Sequence, residues 1–209
     1  MKVVATSDLH GTLPSIPKCD LLLIAGDVCP VWNHDLFFQD IWLRTTFRDW
    51  LQAQPVGKAV ACWGNHDWIG EKDPPRIKEC AFLTDEMLEY AGLRIWGSPW
   101  QRRWYDWAFN LDEPELNLKY EQMPDCDVIV SHGPPYSYGD KAPRGKGEFE
   151  LTGNQVLLRR IDEMRPKLVV FGHIHGAKGT WTRGGTILSN VSFVDENYYP
   201  KLPPQMFEI

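Results

Sequence analysis

Five short runs of apolar residues recur along the chain with no polar residue inside any of them: Val3-Val4-Ala5, Leu21-Leu22-Leu23-Ile24, Ala59-Val60-Ala61-Cys62, Val128-Ile129-Val130 and Leu168-Val169-Val170-Phe171. A strand with one wet face alternates apolar and polar residues, whereas a run without alternation suits a strand buried on both faces, as in a sheet covered by helices. Polar motifs sit where these runs end: Asp8-x-His10, Gly26-Asp27, Gly64-Asn65-His66-Asp67, His132 and Gly172-His173-x-His175. Open α/β sheets place their ligands beyond the carboxyl ends of the strands. The repeated order of apolar run and polar motif therefore predicts one site at the edge of a buried sheet.

The rest of the chain supplies covering elements. The spacing of Leu36, Phe37, Ile41, Leu43, Phe47, Trp50 and Leu51 predicts an amphipathic helix over residues 35 to 53, stopped by Pro55. A second helix is expected over residues 154 to 164, with Val156, Leu157, Ile161 and Met164 inward and Pro166 beyond its end. Gly179 to Thr182 and Thr186 to Val191 read as a strand pair turning at Gly184-Gly185. Two stretches read as irregular: residues 97 to 125, dense in Trp100, Trp104, Tyr105, Trp107 and Phe109, and residues 133 to 150, a Pro- and Gly-punctuated loop carrying Lys141, Arg144 and Lys146. No linker composition divides the 209 residues, so one domain over residues 1 to 209 is expected.

With 43% hydrophobic and 24% charged residues, the composition is that of a globular protein able to bury a sizeable core. The formal charge of -6 argues against stable nucleic-acid binding, which needs a basic patch to neutralise phosphates. Five cysteines without Cys-x-x-Cys spacing fit reduced, buried thiols. Together with the lack of a signal-like or membrane-length apolar stretch, this gives a cytoplasmic expectation with no membrane partner.

Asp8, His10, Asp27, Asn65, His132, His173 and His175 make seven candidate metal ligands, more than one tetrahedral site uses. None is a cysteine, which disfavours a structural zinc. Imidazole nitrogen and carboxylate oxygen suit Mn, Fe, Zn or Ni, and one carboxylate can bridge two ions. His34 alone among the six histidines falls outside the motifs, before the first helix, where a solvated or capping role is expected.

These blocks, Asp8-Leu9-His10, Gly26-Asp27, Gly64-Asn65-His66-Asp67, His132 and Gly172-His173-Ile174-His175, all in order, resemble the calcineurin-like metallophosphoesterase superfamily. Gly97-Ser98-Pro99-Trp100-Gln101, Ala108-Phe109-Asn110, His132-Gly133-Pro134-Pro135, Asp140-Lys141-x-Pro143-Arg144-Gly145 and Phe207-Glu208-Ile209 further resemble its small metallophosphoesterase-domain-containing group, akin to class III cyclic nucleotide phosphodiesterases. The resemblance implies an α/β fold of two packed mixed β-sheets flanked by helices. It implies two divalent ions, manganese first: one taking Asp8, His10, Asp27 and His175, the other Asp27 as bridge with Asn65, His132 and His173. By the same analogy a metal-bound hydroxide attacks phosphorus and His66 protonates the leaving oxygen; Asp67, or Asp8 through its free oxygen, is the candidate to orient His66.

The protein phosphatases of the superfamily carry arginines after the Gly-Asp and Gly-Asn-His blocks to grip a dianionic monoester. Here Val28-Cys29-Pro30-Val31 and Trp68-Ile69-Gly70 stand in those places. A monoanionic diester suits such a site better. The expected substrates are small phosphodiesters, 2′,3′-cyclic nucleotides and aryl diesters, with a phosphomonoesterase or a weakly active metal-binding scaffold as alternatives. The Trp-rich stretch lines either a substrate cleft, where the family analogy puts Trp100 nearest the site, or a satellite core or dimer surface, and Arg144 is either a phosphate contact or an ordinary loop charge. Monomer and homodimer are both open.

Overall fold

The computed structural model describes residues 1–145 and 147–209. In chain order the strands are β1 (Lys2–Thr6), β2 (Cys19–Ala25), β3 (Val56–Cys62), β4 (Cys80–Leu83), β5 (Glu86–Tyr90), β6 (Leu93–Ser98), β7 (Gln101–Arg102), β8 (Asn110–Leu111), β9 (Val128–Ser131), β10 (Lys141–Gly145), β11 (Glu148–Leu151), β12 (Leu168–Phe171), β13 (Gly179–Arg183), β14 (Thr186–Asn190) and β15 (Gln205–Glu208). The helices are α1 (Leu36–Trp42), α2 (Arg48–Gln52), α3 (Trp68–Lys72), α4 (Glu113–Glu121) and α5 (Gln155–Met164).

Two mixed sheets result, with strand orders β15-β1-β2-β3-β4 and β13-β14-β12-β9-β6-β5. In the first, β1 to β4 run parallel and β15 closes the edge antiparallel to β1. In the second, β6, β9, β12 and β14 are parallel, with β5 and β13 antiparallel at the two edges.

The side chains of each central strand divide between two cores because successive residues point to opposite faces. Val3, Ala5, Leu21, Leu23 and Val60 of the first sheet pack against Ile95, Val128, Val130, Leu168 and Val170 of the second. The intervening Val4, Leu22, Ile24, Ala59 and Ala61 face outward onto Trp42, Leu43, Phe47 and Leu51. On the far side, Trp96, Ile129, Val169 and Phe171 meet Leu116, Tyr120, Leu157 and Ile161 of α4 and α5. The layers are helix, sheet, sheet, helix. That is why the central runs carry no polar alternation.

The expected first helix is α1 and α2 joined by a π-helical turn over Leu43–Phe47, and Asp35 caps its start by accepting from the Phe38 amide. The second is α5, capped by Asn154, and the Gly184-Gly185 turn joins β13 to β14. All five cysteines are free and buried.

Two expectations need correction. The stretch from 97 to 125 is not irregular: it holds β7, β8 and α4. Helix α4 buries only Leu116 and Tyr120 while Leu118 is exposed, so it shows no apolar stripe. Its start was marked instead by Pro114 and by Glu113 and Glu115 in the first turn. The 133 to 150 loop contains the ribbon β10-β11, whose residues are mostly exposed, so no buried face imposes a pattern. Lys146 lies outside the described residues.

Candidate metal centre

The chain delivers its polar motifs from the carboxyl ends of two different sheets. Asp8 and His10 follow β1, Asp27 follows β2, and Asn65, His66 and Asp67 follow β3; His132 follows β9, and His173 and His175 follow β12. Packing the sheets face to face brings the two sets together.

Four of these residues adopt left-handed backbone, with φ of 55° at Asp8, 45° at His10, 51° at Asp27 and 69° at His173. Such φ values are uncommon outside glycine, although Asp and His tolerate them best, and they cluster where the chain must aim side chains at a common point. Gly64 allows a close approach, since a Cβ there would collide with the Asp27 carboxylate.

Asp27 Oδ2 stands between the two sets, 3.5 Å from His10 Nε2 and 3.6 Å from His132 Nε2. On one side, His175 Nε2 is 3.2 Å from His10 Nε2 and 3.5 Å from Asp8 Oδ1. On the other, Asn65 Oδ1 is 2.8 Å from His132 Nε2 and 2.7 Å from His173 Nδ1. All seven expected donors are thus brought together, five of them buried and His173 and His175 half-buried.

The tautomers tell what would fit among them. His132 Nδ1 lies 2.8 Å from the carbonyl of Ala25, and His175 Nδ1 lies 3.1 Å from that of Asp195. A carbonyl only accepts, so in the neutral rings each Nδ1 carries the hydrogen and each Nε2 presents a lone pair. Those lone pairs point at Asn65 Oδ1 and Asp8 Oδ1, which are themselves acceptors. Acceptors facing acceptors repel unless a cation lies between them. The donor set therefore fits divalent metal ions, with the backbone carbonyls orienting the ligand rings. His10 lacks that support, since its Nδ1 is buried without a partner among the described residues.

The electrostatics agree. Burial, with repulsion from Asp67 and Asp8, pushes Asp27 well above the usual carboxylate range. Burial would raise Asp8 too, but His175, His132 and His10 together pull it down. Burial lowers His10, His173 and His132, whereas Asp8 overcomes burial at His175 and raises it. A bound cation is the charge that would keep Asp27 ionised in so dry a place.

His66 is 5% exposed and burial pushes it down to about 3, with His34 the next cause. Its backbone N–H donates to Asp27 Oδ1 at 2.7 Å. The expected orienting role of Asp67 is not what the fold shows: its carboxylate accepts from the amides of Gly64 and Cys29 at 2.8 Å and Val28 at 3.2 Å, clamping the β2 and β3 turns together. Asp8 is occupied by Ser192 and the His173 amide. The group at the His66 ring is His34, whose Nε2 is 3.1 Å from His66 Nδ1. Nothing local in the sequence marked that contact.

Trp100 also needs correction. Its Nε1 donates to Asp85 at 2.8 Å and Lys119 lies over its ring, so it braces the fold. The tryptophan at the site is Trp107, with its ring 5.0 Å from that of His66. Tyr198, which no motif indicated, stands edge-on to His10 at 4.8 Å and to His175 at 5.5 Å. Arg144 pairs with Glu150 and lies 4.4 Å over the Trp104 ring. It lines a cavity of about 300 Å³ that also takes in Gln101, Trp104, Trp107, Pro143 and His173.

Residues 1–177 match the family described as calcineurin-like phosphoesterase. Human metallophosphoesterase domain-containing protein 1 is 28% identical over the whole of this chain and 71% of its own length. A UPF0046 protein of Caenorhabditis elegans is 33% identical, and the chain spans 60% of it. Among solved structures, TT1561 of Thermus thermophilus superposes with a TM-score of 0.59 at 14% identity, covering 90% of this chain and 88% of that one. The phosphopantetheinyl hydrolase of Mycobacterium tuberculosis gives 0.54 at 16%, covering 94% and 90%. At such identities these two speak for the fold alone. The chain belongs to the calcineurin-like phosphoesterase family.

Proposed function

We propose that this protein is a phosphodiesterase that uses two divalent metal ions and acts on small diesters such as 2′,3′-cyclic nucleotides and aryl diesters. The observation that carries the reading is the convergence of seven nitrogen and oxygen donors around Asp27 Oδ2. Asp8, His10, Asp27 and His175 would hold one ion; Asp27, Asn65, His132 and His173 would hold the other. Bound there, the ions would supply Lewis acidity, which would activate water near neutral pH and stabilise charge gathering at phosphorus.

The protein's own groups do the rest. His66 Nδ1 is taken by His34, so Nε2 is the nitrogen left to give a proton to the departing oxygen. The cleft is lined by Asp27, Asn65, His66, Trp107, His173 and His175, with Pro143, Ile174, Gly176, Glu196 and Tyr198 completing it, and no Lys or Arg among the described residues. A dianionic monoester would find no guanidinium there and would meet the Glu196 carboxylate, whereas a monoanionic diester is less penalised. The neighbouring 300 Å³ cavity shares Trp107, Pro143, His173 and Ile174 with the cleft and gives a second ester arm an apolar place. Its Arg102 and Arg144 are both spent on Glu150, and Arg103 on Asp112.

Manganese is the first metal to supply, since oxygen-rich imidazole sites accept it. The five free, buried thiols support a reducing, cytoplasmic setting. Among the described residues no helix is long and apolar enough to cross a membrane. The test is hydrolysis of bis-nitrophenyl phosphate beside the mono-nitrophenyl ester, with manganese and after chelation, for wild type and Asp27→Asn. Diester turnover should exceed monoester turnover and fall about a hundredfold or more on chelation or substitution. Preferential monoester cleavage would overturn the diester assignment.

A further inference from the structure

We propose that His34 is a positioning residue for His66, holding it in the tautomer whose Nε2 carries the hydrogen. The inference rests on the phosphodiesterase reading for its consequence in turnover, and on geometry for its existence. His34 Nε2 and His66 Nδ1 are 3.1 Å apart, with ring centroids 5.2 Å apart and planes inclined at 38°. Between two neutral imidazoles one nitrogen must donate and the other accept. If His34 donates, His66 Nδ1 is the acceptor and the single hydrogen of His66 sits on Nε2; as that hydrogen passes to the leaving oxygen, the His34 Nε2 hydrogen passes to His66 Nδ1 and water supplies one at the exposed His34 Nδ1, so neither ring is left an anion. The reverse bond would leave Nε2 bare and useless as an acid.

The scaffold holds this pair together from both ends. Asp35, the next residue, caps α1 by accepting from Phe38 at 2.9 Å. One turn on, the buried Gln39 donates to the His66 carbonyl at 2.8 Å and accepts from the Ile69 amide at 2.9 Å. Helix α1 and the His66 turn are thereby latched, and His34 arrives with the helix start. The Trp68 ring flanks it at 6.2 Å. His34 is otherwise exposed, so its own Nδ1 can be served by water and its hydrogen is free to reside on Nε2. Among the described residues no carboxylate bonds the His66 ring, because Asp67 is committed to three backbone amides.

The experiment compares wild type, His34→Ala and His34→Gln, the last keeping an N–H for His66 Nδ1. Long-range proton–nitrogen NMR of the ring nitrogens reads the tautomer directly, and kcat and KM are measured on a bis-nitrophenyl and a bis-phenyl phosphate. In wild type and His34→Gln, His66 should be the Nε2–H tautomer; in His34→Ala it should be mixed. His34→Ala should lose about tenfold in kcat on the phenyl ester and less than twofold on the nitrophenyl ester, with KM and metal content unchanged, because only the poorer leaving group needs the proton. An unchanged tautomer in His34→Ala, or equal losses on both esters, would overturn the role. A wild type inactive on both esters would sink the phosphodiesterase reading alone, while the tautomer measurement would still decide the role of His34.

Discussion

Ser192 Oγ donates a 2.6 Å hydrogen bond to Asp8 Oδ2, joining the first polar motif to a residue beyond the segment that matches the family. Both groups are buried. The bond leaves Asp8 Oδ1 as the oxygen facing His175. Partners of this kind fix the direction of a ligand, and losing one weakens metal affinity by about ten- to a hundredfold. Ser192→Ala should therefore bind manganese about tenfold more weakly in competition with a chelating dye. Unchanged affinity would mean that the His173 amide suffices to hold Asp8.

Asp67 separates a structural from a catalytic reading. Its carboxylate satisfies three buried amides, and each one left without an acceptor costs about 1–3 kcal/mol. Asp67→Ala should lower stability by about 3 kcal/mol or more, seen as a fall in the urea midpoint. If the variant kept its stability and lost only turnover, Asp67 would have to be returned to the chemistry.

The two tryptophans exchange their expected roles. Removing Trp107 takes away an aromatic face beside His66 worth about 1 kcal/mol to a stacked ligand, so Trp107→Ala should raise KM for an aryl diester by about fivefold. Trp100→Phe should leave KM alone and lower stability by about 1 kcal/mol through the lost bond to Asp85. Steady-state kinetics beside thermal melts of both variants distinguishes the outcomes.

Acid sensitivity has a traceable contribution at Asp127. The backbone amide of Arg94 holds its carboxyl below the usual range, aided by the Arg94 guanidinium. A depressed folded-state pKa means stability that is present above the unfolded value, about 3.9, and is lost as pH falls through the folded one. The carboxylate is partly exposed, so solvent screening keeps the effect under about 1 kcal/mol. Asp127→Asn should be slightly less stable than wild type at pH 7 and equal to it near pH 2; a constant difference at both pH values would assign the loss to packing.

Much of the architecture was legible because it is local. The runs at Val3, Leu21, Ala59, Val128 and Leu168 became central strands, since unbroken apolarity leaves a strand no wet face. The helix over 35 to 53 and the one over 154 to 164 were legible from spacing and caps. Helix α4 was not, because two buried residues in nine make no stripe, and β10-β11 was not, because an exposed ribbon has no core to imprint a pattern.

The sequence by itself determined which side chains stand at strand ends, because the chain's period and the burial of each run decide where a strand stops. Only the tertiary structure decided which of those side chains meet. His34 reaches His66 across 32 positions, Ser192 reaches Asp8 across 184, and Trp107 rather than Trp100 faces the cleft. These contacts depend on how two sheets and a helix start are packed, and pairwise proximity across such separations leaves no mark in any one segment.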